Sequence, residues 1–206
     1  MKPILFNTEM VRAILDGRKT VTRRVVKPQP KYAEMTVAGL MTSEHHISIE
    51  DGLVVTKLGD VSTWGNLPYR PGDILYVRET FSECAEGYAY RADYPHSEGW
   101  GWNPSIHMPR EAARIFLRVT DVRVERLQDI TENQARAEGA EPVMMTADVD
   151  KPDDEKRWHE MLPALSMFPT LWNSTIKPAD RSLYGWEANP WVWVIEFERC
   201  EKPEGD

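Results

Sequence analysis

The chain has 206 residues, of which 41% are hydrophobic and 28% charged, a composition that supports one globular domain whose core needs no disulfide or metal. Its formal net charge of −8 argues against a protein that coats nucleic acid with its whole surface. The sequence shows no membrane-length apolar run, no signal-peptide pattern at its start and no CxxC pair, so we expect a cytoplasmic protein with reduced thiols, no membrane association and no cofactor.

The N-terminal region predicts a short helix followed by a strand. Asn7 or Thr8 is suited to cap the helix, and Gly17 stands where a left-handed residue ends one. Residues 20–26 are rich in β-branched side chains, which favours a half-buried strand. Lys19 therefore falls at the junction between helix and strand.

Positive charge is concentrated in the same stretch of the chain. Between Arg12 and Lys31 there is one acidic residue, Asp16, against the basic residues Arg12, Arg18, Lys19, Arg23, Arg24, Lys27 and Lys31. Because the chain as a whole is acidic, this polarisation predicts a local basic site.

The middle of the chain carries strand and turn signals. Residues 46–55 alternate around an Asp51-Gly52 turn, which predicts a β-hairpin. The apolar run 74–78 predicts a core strand, and 113–126 predicts one long bent strand or two short ones. Between these strands, the turn-rich and aromatic segment 82–110 is interpreted as a long ordered insertion.

A capping box marks a helix in the second half of the chain. Thr131 and Gln134 have the spacing of such a box, and the helix is expected to run to Glu138 and to end at Gly139. The alternating segment 191–198 predicts a final strand.

Between that helix and the final strand, the sequence predicts further helical stretches. They lie around 158–162 and 168–176 and are expected to be broken by Pro163 and Pro169.

Strands separated by short helices and long loops, without regular βαβ alternation, predict an α+β fold built on a small mixed or antiparallel β-barrel. One domain over residues 1–206, with insertions at about 82–110 and 141–189, fits this pattern better than two domains.

Lys19 and Thr22 have residue types and a spacing that point to chemistry. The sequence contains no GxGxxG, Walker, GxSxG, HExxH or CxxC motif, and its five histidines do not have the spacing of a metal site. A bend at the helix–strand junction would bring the Lys19 amine beside the Thr22 hydroxyl, as a general base beside a nucleophile. A charged edge strand that faces water explains the same residues, so the pattern leaves both interpretations open.

The stretch GRKTVTRR at 17–24 resembles the GxKxxxxR signature of the ASCH domain family, whose members have a PUA-like fold. The similarity continues in chain order through PGDILYV (71–77), DITE (129–132), EG (138–139) and WVIEF (193–197). The segments WGWNPSIHMP (100–109) and NPWVW (189–193) are similar to the long, phage- and prophage-associated form of the family. The resemblance implies a PUA-like small mixed β-barrel with short flanking helices and long insertions.

Small bacterial enzymes of this family hydrolyse N4-acetylcytidine with a lysine, a threonine and a glutamate. These match Lys19, Thr22 and Glu138, so the resemblance implies that Thr22 attacks the acyl carbonyl while Lys19 takes its proton. Glu138 would hold the lysine or assist proton transfer to the leaving amine, and Arg24 would bind a ligand oxygen or position Glu138. The expected function is a metal-independent amidohydrolase that acts on an N4-acylated cytidine-type substrate.

Other relatives bind RNA, and some cleave it, which gives the alternative hypothesis. Basic residues would then neutralise phosphates while an aromatic side chain stacks on a base. The basic candidates are Arg12, Arg18, Arg23, Arg24 and Lys27, and the aromatic candidates are Trp64, Tyr76, Trp100 and Trp102.

Arg78 and Glu79 follow a predicted core strand. They are expected either to reach the same pocket as Arg24 or to form an ion pair that closes the barrel. A phage accessory protein that works through protein contacts on its insertions is a third interpretation.

Overall fold

The computed structural model describes residues 1–27, 29, 47–50, 53–56, 67–94, 96–97, 99, 101–146 and 159–203, and it mixes helices and strands as the sequence predicts. The strands are β1 (Lys2–Leu5), β2 (Val21–Val25), β3 (Ile47–Glu50), β4 (Leu53–Thr56), β5 (Ile74–Arg78), β6 (Phe81–Cys84), β7 (Gly87–Tyr90), β8 (Phe116–Arg126), β9 (Val143–Thr146), β10 (His159–Leu162) and β11 (Trp191–Cys200). The helices are α1 (Thr8–Leu15), α2 (Glu132–Ala137), α3 (Ala164–Thr175) and α4 (Arg181–Tyr184).

A mixed five-stranded sheet, in the order β1-β5-β8-β11-β2, forms the centre of the described structure. β1 and β5 are parallel, whereas the other neighbours in this sheet are antiparallel. The predicted strands at 74–78, 113–126 and 191–198 are confirmed, the second as one strand whose pairing with β11 shifts between Glu196 and Phe197. The parallel strand β1 was not predicted.

The described strands form an open sheet, so the predicted closed barrel is not present among them. The sheet ends at β1 on one side and at β2 on the other. Nη2 of Arg24 on β2 donates a hydrogen bond to the Leu5 carbonyl on β1 at 2.8 Å. A side chain thus links the two edges, where a closed barrel would have backbone hydrogen bonds between paired strands. The two edges therefore lie within reach of one arginine.

Local signals place the helix–strand junction where the sequence predicts it. Asn7 caps α1 by accepting a hydrogen bond from the Met10 amide at 2.8 Å. Gly17 then takes a positive φ of 75°, and the amides of Arg18 and Lys19 both donate to the Ala13 carbonyl. The chain reverses tightly there and enters β2.

The sheet buries a separate apolar cluster on each face. Alternate residues of β11 point to opposite sides, so Trp193 and Ile195 pack with α1, whereas Val192 and Val194 pack with α2 and α3. Trp191 belongs to the same cluster as Trp193, as their shared strand face predicts. Both faces of β11 are therefore packed against helices.

The predictions for residues 158–176 were partly wrong. Residues 159–162 form β10, which pairs antiparallel with β9, and Pro163 marks the start of α3. Helix α3 continues through Pro169. Although Pro169 cannot donate a helical hydrogen bond, burial of Phe168 and Trp172 on either side of it holds the helix against the sheet.

The predicted hairpin and the predicted insertion both contain paired strands. β3 and β4 are antiparallel, as expected, and the Asp51-Gly52 turn lies outside the described residues. The hairpin of β6 and β7, which was not predicted, lies at the start of the segment 82–110. No helix in the described part of the chain is long and apolar enough to span a membrane.

Candidate functional site

Lys19 is a buried cation at the junction of α1 and β2. Its residue is 2% exposed, and its Nζ donates hydrogen bonds to the Val21 carbonyl at 2.7 Å, the Glu138 carbonyl at 2.9 Å and Glu138 Oε2 at 2.7 Å. An ammonium has three donors, so all of them are used. Because β2 lies at an edge of the sheet, the Val21 carbonyl is open to this side chain.

Glu138 follows the last residue of α2 and is 4% exposed. The Ala137 carbonyl accepts the Thr20 amide at 2.9 Å, which joins the end of α2 to the segment that carries Lys19. Gly139 ends the helix with a φ of 89°, and a Cβ there would lie 3.0 Å from the Ala13 Cβ. The close approach of Gly139 to Ala13 of α1 and the hydrogen bond of Thr20 to Ala137 therefore bring a lysine and a glutamate 119 positions apart into contact.

Arg23 holds the second oxygen of the same carboxylate. Its side chain is fully buried, with Nη1 3.3 Å from Glu138 Oε1 and Nη2 3.1 Å from Glu125 Oε2. Its Nε is buried without a hydrogen-bond partner among the described residues. Glu125 in turn accepts from Arg123, which also binds Asp121 and Glu196. Glu138 is thus one end of a ladder of ion pairs across the sheet.

Arg24 lies close to this cluster without binding Glu138. Its guanidinium carbon is 5.3 Å from the centre of the Phe6 ring, and the Lys19 Nζ is 5.6 Å from the same ring. Glu138 and Tyr69 are both within electrostatic range of Arg24. Three cations therefore surround the Glu138 carboxylate.

Burial lowers the pKa of Lys19 below its ordinary value. The Glu138 carboxylate opposes this change, since its charge and hydrogen bond favour the ammonium, whereas Arg24 and Arg23 lower the pKa further. The geometry describes an ammonium, because the three groups around Nζ are all hydrogen-bond acceptors.

Thr22 is also buried, at 2% exposure, and pairs with Ile195 of β11. Strand alternation places it on the face opposite Arg23. The Lys19 Nζ binds the carbonyl of the residue just before Thr22, and in the described part of the chain it donates no hydrogen bond to the Thr22 hydroxyl. The structure thus brings Lys19 and Glu138 into contact, whereas Thr22 is the residue after Val21, whose carbonyl binds the Lys19 ammonium.

Arg78 and Glu79 have structural partners outside this cluster. Arg78 donates to the carbonyls of Met108, at 3.0 Å, and Ile106. Glu79 is 1% exposed and forms a two-point ion pair with Arg114, at 2.9 and 3.1 Å. Glu79 thus forms an ion pair, but its partner Arg114 follows the insertion at 82–110 and the pair closes no barrel among the described strands.

The predicted aromatic candidates are dispersed. Tyr76 is half-buried on β5, with the Arg110 guanidinium 6.0 Å from its ring centre. Trp102 donates its indole N–H to the Ser97 carbonyl at 3.1 Å. Trp64 and Trp100 lie outside the described residues.

Three contributors to these clusters were not identified from the sequence. Glu125 and Arg114 belong to strand-like stretches whose polar residues resemble an ordinary solvated face, and Phe6 directly follows β1, a strand that was not predicted. The alternation of acids and bases in 121–126 was the available signal for the Glu125 ladder.

In the described part of the chain, no group of three or more His, Cys, Asp and Glu side chains is arranged to hold a metal ion. Comparison with protein-family models, with curated proteins and with solved structures found no match to this chain.

Proposed function

We propose that this chain is a metal-independent amidohydrolase that acts on an N4-acylated cytidine-type substrate, with Lys19, Thr22 and Glu138 as its catalytic residues. The observation that carries the proposal is the buried contact of 2.7 Å between the Lys19 Nζ and Glu138 Oε2. The GRKTVTRR stretch adds the resemblance to the ASCH family, and a PUA-like relationship is part of the same proposal.

The first step requires a neutral amine at Lys19. The proton on Nζ moves along its hydrogen bond to Glu138 Oε2, which leaves a lone pair on the nitrogen. Burial favours this step because it converts two charges into two neutral groups. Lys19 then accepts the proton of the Thr22 hydroxyl as the oxygen attacks the acyl carbonyl.

The second step releases the nucleobase and regenerates the enzyme. The C–N bond breaks, and the leaving amine takes a proton from the Lys19 ammonium, so the acyl group remains on Thr22 as an ester. Water then attacks the ester while Lys19 accepts its proton, and Lys19 passes that proton to the Thr22 oxygen as the ester C–O bond breaks and a carboxylic acid leaves. The proton held by Glu138 returns to the Lys19 Nζ, which restores the starting ion pair.

RNA binding is less well supported by the described contacts. Arg12 pairs with Glu9, Arg18 pairs with Asp16 and Glu141, and the Arg23 side chain is fully buried. These arginines already have partners or lie away from solvent, which leaves fewer cations for phosphates.

The test is release of the free amine from a panel of N4-acylated cytidines and cytosines, followed by absorbance. We expect turnover by the wild type and its loss, by about 1000-fold or more, in Lys19→Ala and Thr22→Ala. Matched controls are Thr20→Ala, an exposed threonine of the same segment, and Lys2→Ala, an exposed lysine paired with Asp73.

A folded wild type without turnover on the whole panel overturns the proposal, as do Lys19→Ala and Thr22→Ala variants that keep the wild-type rate. Salt-sensitive binding of short RNA that weakens in Arg24→Ala, in the absence of turnover, would establish the alternative.

A further inference from the structure

The Glu138 carboxylate is shared between two cations, one for each oxygen. Oε2 accepts from Lys19 at 2.7 Å, and Oε1 accepts from Arg23 at 3.3 Å. The Glu138 side chain is 5% exposed, and the Lys19 and Arg23 side chains are 0% exposed, so solvent does not compete for these oxygens. The carboxylate plane is therefore set by the two cations together.

Arg23 is anchored independently of Glu138. Its Nη2 binds Glu125 of β8. Arg123, two residues earlier on the same strand, holds Glu125 and also binds Glu196 of β11. A planar guanidinium fixed by Glu125 at one end presents Nη1 in a defined direction at the other. Lys19, in contrast, reaches Glu138 through a flexible stem.

We propose that Arg23 is a positioning residue of the reaction: by holding Oε1 of Glu138, it turns Oε2 towards the Lys19 Nζ and fixes the path of the proton between them. This inference rests on the proposed function. The resemblance to the ASCH family assigns a positioning role to Arg24 as one alternative, but Arg24 binds the Leu5 carbonyl and lies over Phe6.

The charges that face this proton come from two elements. Lys19 is faced by Glu138 after α2 and by Arg23 and Arg24 of β2, and Tyr69 is the further titratable group near Arg24. Arg23 opposes the positive charge on Lys19, so loss of its guanidinium raises the Lys19 pKa. Because any guanidinium at this place would oppose the charge on Lys19, the titration reports the proximity of Arg23, and the separation of kcat from KM reports its positioning role.

The experiment compares Arg23→Gln and Arg23→Lys with the wild type by two readouts. The first is the titration of the lysine Cε groups in ¹H–¹³C spectra, with the Lys19 signal assigned by its absence in Lys19→Met. The second is the pH dependence of kcat and KM for the acylated cytidine. Arg118→Gln is the matched control, because Arg118 is a half-exposed arginine that pairs with Glu198.

For Arg23→Gln we expect the Lys19 titration to move to higher pH, with the kcat profile moving in the same direction. kcat at neutral pH falls about 10- to 100-fold while KM stays within about twofold, since the geometry of proton transfer is lost and substrate contacts are not. Arg23→Lys keeps the charge, so its titration stays close to wild type, but lysine lacks the rigid planar fork that binds Glu125 at one end and directs Nη1 to Glu138 at the other, and kcat remains reduced.

An Arg23→Gln variant with reduced thermal stability but an unchanged Lys19 titration and kcat profile would assign Arg23 a structural role and overturn the inference. If Arg23→Gln does not fold, wild-type kcat in Arg23→Lys overturns it. A wild type that hydrolyses nothing on the panel rejects the proposed function, whereas the spectroscopic titration still decides whether Arg23 controls Lys19.

Discussion

Glu138 and Glu79 are both almost fully buried carboxylates, 4% and 1% exposed, but the charge around them is balanced in opposite ways. Arg114 binds both oxygens of Glu79 and both oxygens of Asp93, so two acids share one base. Its guanidinium also lies 3.9 Å from the centre of the Tyr90 ring. Glu138 also shares an arginine with a second acid, since Arg23 binds Glu125, but Glu138 has two further cations near it, Lys19 in contact and Arg24 within electrostatic range.

This difference separates a structural ion pair from a site suited to chemistry. The Arg114 cluster joins the insertion to the sheet, and its bidentate bonds leave the arginine little capacity for a ligand. Around Glu138 the cations exceed the anions, and a proton can move between Lys19 and Glu138 without creating net charge. An arginine does not give up its proton to a carboxylate, whereas a buried lysine can, and this separates the pair of Arg114 and Glu79 from the pair of Lys19 and Glu138.

Removal of Arg114 should have the largest effect on the structural side of this comparison. In Arg114→Met the buried Glu79 carboxylate loses its counter-charge, and we expect the free energy of unfolding to fall by about 4 kcal/mol. The kcat for the acylated cytidine should stay within about twofold at a temperature where the variant is folded. Urea unfolding and the hydrolysis assay measure the two quantities, and a large kcat loss with unchanged stability would contradict the assignment.

Glu138→Gln tests the other cluster with an isosteric change. The amide cannot take the Lys19 proton as a carboxylate does, so we expect kcat to fall about 100-fold, or about 2.7 kcal/mol in transition-state free energy. Glu79→Gln is the matched control, since it neutralises the other buried glutamate and should leave kcat nearly unchanged. Equal kcat losses in the two variants would show that the comparison does not separate function from stability.

Gly139→Ala should disturb the contact between Lys19 and Glu138 without removing any charge. Its new Cβ would lie 3.0 Å from the Ala13 Cβ and 3.6 Å from the Lys19 Cβ, at a φ of 89°. Gly72 has the same φ with nothing within 4 Å, so Gly72→Ala reports the backbone strain alone.

We expect a loss of about 1 kcal/mol of unfolding free energy in Gly72→Ala and of about 2 kcal/mol in Gly139→Ala. Only Gly139→Ala should also lower kcat, because it moves Glu138 relative to Lys19. If the two alanine variants behave alike in unfolding and in hydrolysis, the contact between Lys19 and Glu138 does not depend on the close approach of residue 139 to Ala13.

The sequence predicted the elements that depend on local signals. Caps at Asn7 and Thr131 and the positive-φ glycines at 17 and 139 define α1 and α2, since these hydrogen bonds form within a few residues. The strand His159–Leu162 was predicted as helix because its pairing with β9 is a tertiary contact that short-range periodicity does not contain. β1 was missed for the same reason, as its partner β5 lies about seventy positions away.

The candidate site was predictable in its residue types and not in its contacts. Lys19, Thr22 and Glu138 were selected by chemistry and resemblance, and the structure shows that Lys19 and Glu138 touch. The role of Arg23 depends on Glu125, which approaches it only after β2 and β8 have both packed beside β11. Ion pairs between distant strands have no signature in spacing along the chain.

The pH dependence of stability gives the smallest effect and separates the two clusters once more. Burial lowers the pKa of Lys19 from its ordinary 10.5, so between the lowered value and 10.5 the unfolded chain holds a proton that the native protein has released. Unfolding then takes up a proton, and the free energy of unfolding of the wild type rises with pH, by at most about 1.4 kcal/mol per pH unit, relative to Lys19→Met. Below the lowered pKa both states hold the proton and this slope disappears. Arg114 stays charged throughout that range, so Arg114 itself contributes no comparable slope. Urea unfolding of wild type, Lys19→Met and the exposed-site control Lys2→Met at increasing pH measures the difference; parallel curves for wild type and Lys19→Met would mean that the pair of Lys19 and Glu138 keeps its proton in the native protein up to the ordinary lysine pKa, and would contradict the lowered pKa of Lys19.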